Sequence, residues 1–282
     1  NSLGMIYQYT TGALGYKMHR DEWKLAALEP KGDNNRRWYQ FYKNLVEYNK
    51  DIHQIIIKLE YKRDDNKNKY IQDLDFMQEL EKYLFRNLKK EEKEDIAASL
   101  QRRLEEVCLE WIQDYFNYYK LKNQNVCLSG GVFMNVKLNN KIMLLPQVKE
   151  IFVLPFSGDL GCCIGASYDY LRIFNKKLKT LSLGKDIKDD LNKITTFFSN
   201  IKYETLKTKE IPNEIAYILA DNKLINICIK RCEFGPRALL NRSTLYTAEF
   251  PEVNDWLNKA CNRDRVMPYA PVLMDDFKEQ LF

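Results

Sequence analysis

Three segments of this 282-residue chain carry polar and charged side chains on glycine turns. The first is Leu128-Ser129-Gly130-Gly131-Val132, followed by Asn135. A strand, a glycine pair and a helix start leave backbone N–H groups unshielded by Cβ atoms, so such a loop can meet a phosphate or a ribose. The same sequence also suits a tight strand-to-helix turn. The second is Pro155-Phe156-Ser157-Gly158-Asp159-Leu160-Gly161. An acid between glycines after a buried strand belongs at the carboxyl edge of a sheet, where α/β proteins bind ligands. There Asp159 can ligate a metal, hydrogen-bond a nucleotide, or cap the following helix. The third runs from Glu233 through Phe234-Gly235-Pro236-Arg237 to Asn241-Arg242-Ser243. Arg237 and Arg242 in a Gly-Pro turn suit a bidentate grip on phosphate or carboxylate. Arg263 and Arg265 in Asn262-Arg263-Asp264-Arg265 are further cations, for a ligand or for a solvated surface cluster.

Other chemistries are excluded. The only histidines are His19 and His53, so a metal centre built from several histidines cannot lie within these residues. Neither histidine is near a nucleophile elbow, and there is no Walker A loop and no G-x-G-x-x-G. His19 reads as an exposed loop residue. The formal charge of +5 is too small to indicate nucleic acid by itself. Seven cysteines without a C-x-x-C indicate neither a disulfide framework nor a zinc finger. Their apolar neighbours suggest buried free thiols in a reducing cytoplasm. No run of about 18 apolar residues is present, so no membrane span is expected. Composition leaves homo-oligomerisation open.

The elements that must position these segments are legible as patterns. Residues 1–35 are rich in small residues and turns. Residues 36–94 are dense in charge and aromatics, with Leu74, Met77, Leu80, Leu84 and Leu88 at helical spacing, and read as a helical insertion with a charged tip near Tyr61–Tyr70. A long helix begins near Asp95, a candidate N-cap, with Ile96, Leu100, Leu104, Val107 and Trp111 on one face. Strands are expected at Val126–Leu128 and Ile151–Leu154, with helices over Val132–Lys141 and Cys162–Phe174. This alternation implies a largely parallel sheet. Residues 175–190 read as an exposed link. Beyond it, a helix over Glu214–Ala220, a strand over Leu224–Ile229 and an apolar strand near Pro268–Met274 are expected.

Taken in order, these segments resemble the carbamoyltransferase family of nodulation protein U, cephamycin carbamoyltransferase and tobramycin carbamoyltransferase. Ser2-Leu3-Gly4-Met5-Ile6-Tyr7 resembles its S-L-G-x-x-Y block, and Glu22 to Gly32, with Lys24, resembles E-x-K-x-M-G-L-A-P-Y-G. Ile96 to Gln101 resembles the helix before the glycine loop, and Gly130 to Asn139 resembles G-G-V-A-L-N-x-x-x-N. Pro155 to Gly165 resembles P-x-x-G-D-x-G-x-x-x-G, and Glu233 to Ser243 resembles E-F-G-P-R-A-L-G-N-R-S. Departures are equally specific. The family's H-x-x-x-H metal pair is absent, Leu240 stands at a glycine, Glu29 and Lys31 alter the L-A-P-Y-G block, and Cys261 and Met267 stand at a lysine and an arginine.

The resemblance implies an α/β fold. An actin-like ATPase domain, of the sugar kinase, heat-shock protein and actin type, would span residues 1–174 with the insertion at about 36–94. A link at 175–190 would lead to part of a YrdC-like domain over 191–282. It implies an ATP-dependent O-carbamoyltransferase. Such an enzyme moves the carbamoyl group of carbamoyl phosphate, through carbamoyladenylate, to a hydroxyl of a small-molecule acceptor. ATP and iron or another divalent metal are the implied cofactors. By position, Arg237, Arg242 and Arg263 would serve catalysis, Lys24, Ser129, Gly130, Gly131, Asn135 and Ser243 would bind nucleotide or carbamoyl phosphate, and Asp159 would bind the metal. Two other readings are a non-catalytic nucleotide-binding relative or partner subunit, which Cys261 and Met267 favour, and a tRNA threonylcarbamoyl transferase-like enzyme.

Overall fold

The structure, a computed structural model, describes residues 2–172 apart from positions 34, 35, 63 and 65. It also describes 178–280 apart from 187–201, 203, 205, 236, 237, 248, 278 and 279. The architecture is mixed α/β with small sheets, and the chain divides into two compact units, residues 1–159 with 264–282, and residues 160–263.

The first unit is organised on one long helix. Helices α1 (Leu3–Ala13), α2 (Glu22–Leu28), α3 (Arg36–Leu45), α4 (Lys69–Asn87) and α5 (Lys93–Tyr118) enclose its main core. On α5, Ile96, Leu100, Leu104 and Val107 are buried, as their spacing requires. Two expectations for this helix are corrected. Trp111 is 39% exposed, although the helix is covered again further on, where Phe116 is buried in the second core. Asp95 lies inside the first turn, where its negative charge suits the helix N-terminus. Its Oδ1 accepts the Asp33 N–H at 2.9 Å instead of capping the helix. The Gly32 turn presses against the same point. A Cβ at Gly32 would stand 2.1 Å from the Glu94 carbonyl oxygen, so only glycine fits.

The insertion is not wholly helical. Between α3 and α4, β1 (Val46–Asn49) pairs antiparallel with β2 (Gln54–Ile57). The β-branched run Ile55–Ile57 favours the strand. Asn49 Oδ1 accepts the N–H groups of Asp51 and Ile52, the side-chain-to-backbone bonding that makes asparagine a turn residue. Helix α4 behaves as its spacing predicts at Leu80, Leu84 and Leu88, which are buried, while Leu74 is exposed.

A second core gathers Leu104, Cys108, Phe116, Leu128, Leu138, Ile142 and Leu145 beneath β3 (Gln124–Leu128) and β4 (Val148–Val153). These strands pair in parallel with Val126 opposite Ile151 and Leu128 opposite Val153, joined through α6 (Val136–Met143). This is the expected βαβ arrangement. Parallel pairing puts the carboxyl ends of both strands, and so both glycine loops, on one edge.

The second unit holds α7 (Leu160–Leu171), α8 (Ile211–Ala220), the antiparallel pair β5 (Ile225–Cys228) and β6 (Arg242–Leu245), and α9 (Glu252–Ala260). Strand β6 falls inside the arginine segment. Part of the expected link is anchored here: the Gly184 N–H donates to the Cys232 carbonyl and the Phe234 N–H to the Leu181 carbonyl. The expected strand at 268–274 does not form. Those residues carry no regular secondary structure and lead into a single turn at Asp275–Phe277. The thiols also depart from expectation. Only Cys108 is buried, whereas Cys127 and Cys228 face outward, because each lies in a two-stranded sheet with an uncovered face. His19 is exposed, as expected.

Candidate functional site

In the first unit the two glycine loops meet. The Gly130 N–H donates to the Ser157 carbonyl at 2.8 Å, joining the turn after β3 to the turn after β4. Gly130 holds φ +110° and ψ 154°, a conformation essentially restricted to glycine. A Cβ at Gly130 or Gly131 would meet nothing within 4 Å, so this side of the backbone is open to a ligand. Ser129, Gly130, Gly131 and Asp159 are all exposed on this edge, while Phe156 and Ser157 are buried beneath it. The loop then makes one 3-10 turn, Gly131–Met134, before α6.

Asn135 turns inward. Its Oδ1 accepts the Leu138 N–H at 3.0 Å, capping α6, and its amide pairs reciprocally with the buried Gln101. The expected nucleotide ligand is therefore the residue that fastens the loop to α5. The spacing of α5 does not single out Gln101; its one mark in the sequence is an amide among the apolar positions of the helix.

Lys24 lies elsewhere in the unit, with its ammonium 3.1 Å from Asp264 and 3.3 Å from Asp21, over the rings of Tyr16 and Trp23. Burial alone would lower its pKa, but the hydrogen bonds to Asp264 and Asp21 outweigh it and raise the value. Asp264 answers in kind. Burial pushes its carboxyl up, but the Val266 N–H and Lys24 bring it below the usual range. The two expected motif blocks thus meet through Lys24 and Asp264, and this cation's partners are carboxylates.

Asp159 is exposed in the turn that precedes α7. Among the described residues, no three of His, Cys, Asp and Glu come together to hold a metal ion.

In the second unit the arginine segment wraps around Glu233. Its Oε1 accepts the N–H groups of Leu239, Asn241 and Arg242 at 2.9, 2.6 and 3.1 Å. Burial would raise this carboxyl's pKa, yet these backbone hydrogen bonds hold it at about 2. Asn241, 8% exposed, donates to Ser182 Oγ and the Arg231 carbonyl. The Arg242 guanidinium donates to the carbonyls of Ile229, Asn241 and Lys230. It braces the end of β5, a role its charge did not announce. Ser243 sits in β6 opposite Ile227. Leu240 holds φ +71°, a left-handed conformation at the position where the resembled motif has glycine. Arg263 follows α9, its N–H on the Asn258 carbonyl. Arg237 lies outside the described residues.

Sequence comparison agrees with the order of these motifs. The carbamoyltransferase N-terminus model matches residues 1–168 and the carbamoyltransferase C-terminus model matches residues 216–282. The chain is 32% identical to an uncharacterised protein of Methanocaldococcus jannaschii, over 98% of this chain and 52% of that protein. It is 26% identical to nodulation protein NolO of Bradyrhizobium diazoefficiens, over 100% of this chain and 50% of that protein. It is also 28% identical to nodulation protein U of Sinorhizobium fredii, over 67% of this chain and 33% of that protein. The chain spans about half the length of the first two. With both family models matched in order along it, the chain belongs to the carbamoyltransferase family.

Proposed function

We propose that this protein is an ATP-dependent O-carbamoyltransferase that uses carbamoyl phosphate and passes the carbamoyl group, through carbamoyladenylate, to a hydroxyl of a small-molecule acceptor. The observation that carries this reading is the ordered match of the N-terminal and C-terminal family models. The open glycine edge supports it. The Ser129 and Gly131 N–H groups and the N–H groups at the start of α6, before Leu138, would receive the phosphate of the adenylate. The acceptor oxygen would attack the carbamoyl carbon and displace AMP. In this reading residues 1–174 form the actin-like transfer domain, and residues 191–282 belong to the YrdC-like, adenylate-forming domain. Arg263 and Arg237 serve the phosphates, and the protein works in the cytoplasm. Among the described residues, no helix is long and apolar enough to cross a membrane.

The test is pyrophosphate release by the full-length protein given carbamoyl phosphate, ATP and a panel of hydroxyl acceptors. No ATP-dependent turnover would sink the proposal. A second reading, a nucleotide-binding relative without catalysis, is favoured by the Arg242 guanidinium being engaged on three carbonyls. It is also favoured by Cys261 and Met267 at cation positions of the family motif. Nucleotide binding without turnover would select it.

A further inference from the structure

Gln101 is the most connected side chain near the glycine edge. It is 2% exposed, on the face of α5 turned to the loop. Its Oε1 accepts the Asn135 Nδ2–H at 2.7 Å and the Tyr7 hydroxyl at 3.2 Å. Its Nε2 donates to Asn135 Oδ1 at 3.1 Å and to Glu105 Oε1 at 2.8 Å. Glu105, 4% exposed, is held in turn by Lys141 of α6 at 2.5 Å. All of the Gln101 amide's principal valences are therefore used. They tie together α1, α5, the loop and α6.

A buried network satisfied in this way fixes one arrangement, because any alternative strands a polar group out of water. Asn135 is the last residue before α6, and its cap bond to Leu138 needs the side-chain rotamer that Gln101 holds. Upstream, the loop is anchored only where Gly130 reaches Ser157 among the backbone bonds outside helices and strands, together with the turn bonds from Phe133 to Gly130 and from Asn135 to Val132. Its downstream end is held by Asn135 and by the Asn139 Nδ2–H, which donates to the Phe133 carbonyl at 2.7 Å.

We infer that Gln101 is a positioning residue: through Asn135 it sets the pose in which the Ser129–Asn135 loop receives a phosphate-bearing ligand. This rests on the reading of that loop as a nucleotide site. The Tyr7 hydroxyl and the Glu105 carboxylate hold the Gln101 amide in the one orientation that pairs with Asn135.

The experiment uses the full-length protein with AMP as the probe. Calorimetry gives the Kd, and backbone amide exchange reports on residues 129–138. Gln101→Leu keeps the size and removes all four amide hydrogen bonds, the two to Asn135 among them. It is expected to weaken AMP at least tenfold and speed exchange at Leu138 and in the loop, with exchange in β5 and β6 unchanged. Tyr7→Phe removes one bond while keeping the ring, so it covers the case in which Gln101→Leu does not fold; a two- to fourfold loss is expected. Asn135→Asp keeps the cap oxygen but loses the donor to Gln101, and is expected to follow Gln101→Leu in affinity with exchange at Leu138 preserved. AMP affinity within twofold of wild type in all folded variants would overturn the inference. If the wild-type protein does not bind AMP, the nucleotide reading fails instead. Unchanged loop exchange in Gln101→Leu or Tyr7→Phe would then overturn the positioning role on its own.

Discussion

The Lys24 ammonium lies 3.1 Å from Asp264, so the start of the chain and the stretch that follows α9 are joined by one ion pair. Lys24 is also 3.3 Å from Asp21 and over two aromatic rings, with 13% of its side chain exposed. A cation so enclosed contributes mainly by holding its anionic partners in place. Val266, two residues beyond Asp264, packs against the main core of the same unit.

Asp264→Asn should therefore loosen residues 264–277. Removing one of two carboxylates from a largely buried ammonium is expected to cost about 1–2 kcal/mol. Urea unfolding at neutral pH measures the cost, and limited proteolysis shows whether the segment is released. The pH dependence has a definite sign. The Asp264 carboxyl is depressed in the folded chain, so its contribution is present above the ordinary aspartate pKa and is lost as pH falls through the lowered value. Lys24 is raised, so its contribution is complete below the ordinary lysine value and fades as pH rises through the raised one. Asp264→Asn should flatten the acid limb of the stability profile.

Glu233 makes a sharper acid-side prediction. Its carboxyl titrates at about 2 because three backbone N–H groups point at it. Its stabilisation is present above the unfolded glutamate value, about 4.3, and is lost as pH falls from there through about 2. Carboxyl NMR should find this midpoint. Glu233→Gln keeps an acceptor oxygen but removes its charge, so it should weaken the bonds to the 239–242 turn and accelerate its amide exchange, and a midpoint near the ordinary value would refute the arrangement.

Leu240 offers a gain. Its φ of +71° costs a non-glycine residue about 1–2 kcal/mol, and glycine returns part of that as extra freedom in the unfolded chain. Leu240 is 38% exposed, so the burial lost with its side chain offsets part of the gain. Leu240→Gly is expected to stabilise by up to about 1 kcal/mol, read as a rise in Tm. A fall of similar size would mean that the Leu240 side chain, not its backbone, matters.

Gly32→Ala tests the opposite case. The added methyl would overlap the Glu94 carbonyl, and backbone on both sides must shift to admit it. Overpacking of this kind costs about 1–3 kcal/mol or more. Denaturant melts of the variant measure it, and an unchanged midpoint would show that the turn yields freely.

Much of this was legible beforehand for local reasons. Apolar spacing marks α5 and the buried residues of α4, because a helix repeats its face every few residues. Two short apolar runs separated by a helix-length segment mark β3 and β4, and their parallel pairing follows from the crossover. The glycine turns after them could be located because glycine alone accepts the backbone angle seen at Gly130. What stayed hidden depends on partners distant in sequence. Strand β6 is Arg-Ser-Thr-Leu, with no strand-like alternation, and exists because β5 offers it a register. The 268–274 segment has strand-like composition but takes no regular secondary structure.

The sequence by itself determined the family, the order of the motifs and the positions of the turns that carry them, because these are properties of residue type and spacing. Only the tertiary structure decided what each polar side chain does. It turned Asn135 inward to Gln101, gave Lys24 to Asp264 and Asp21, and set Arg242 on three carbonyls. The physical reason is that a polar group removed from water takes whichever partner the packing brings within reach, and that partner is not written next to it in the chain.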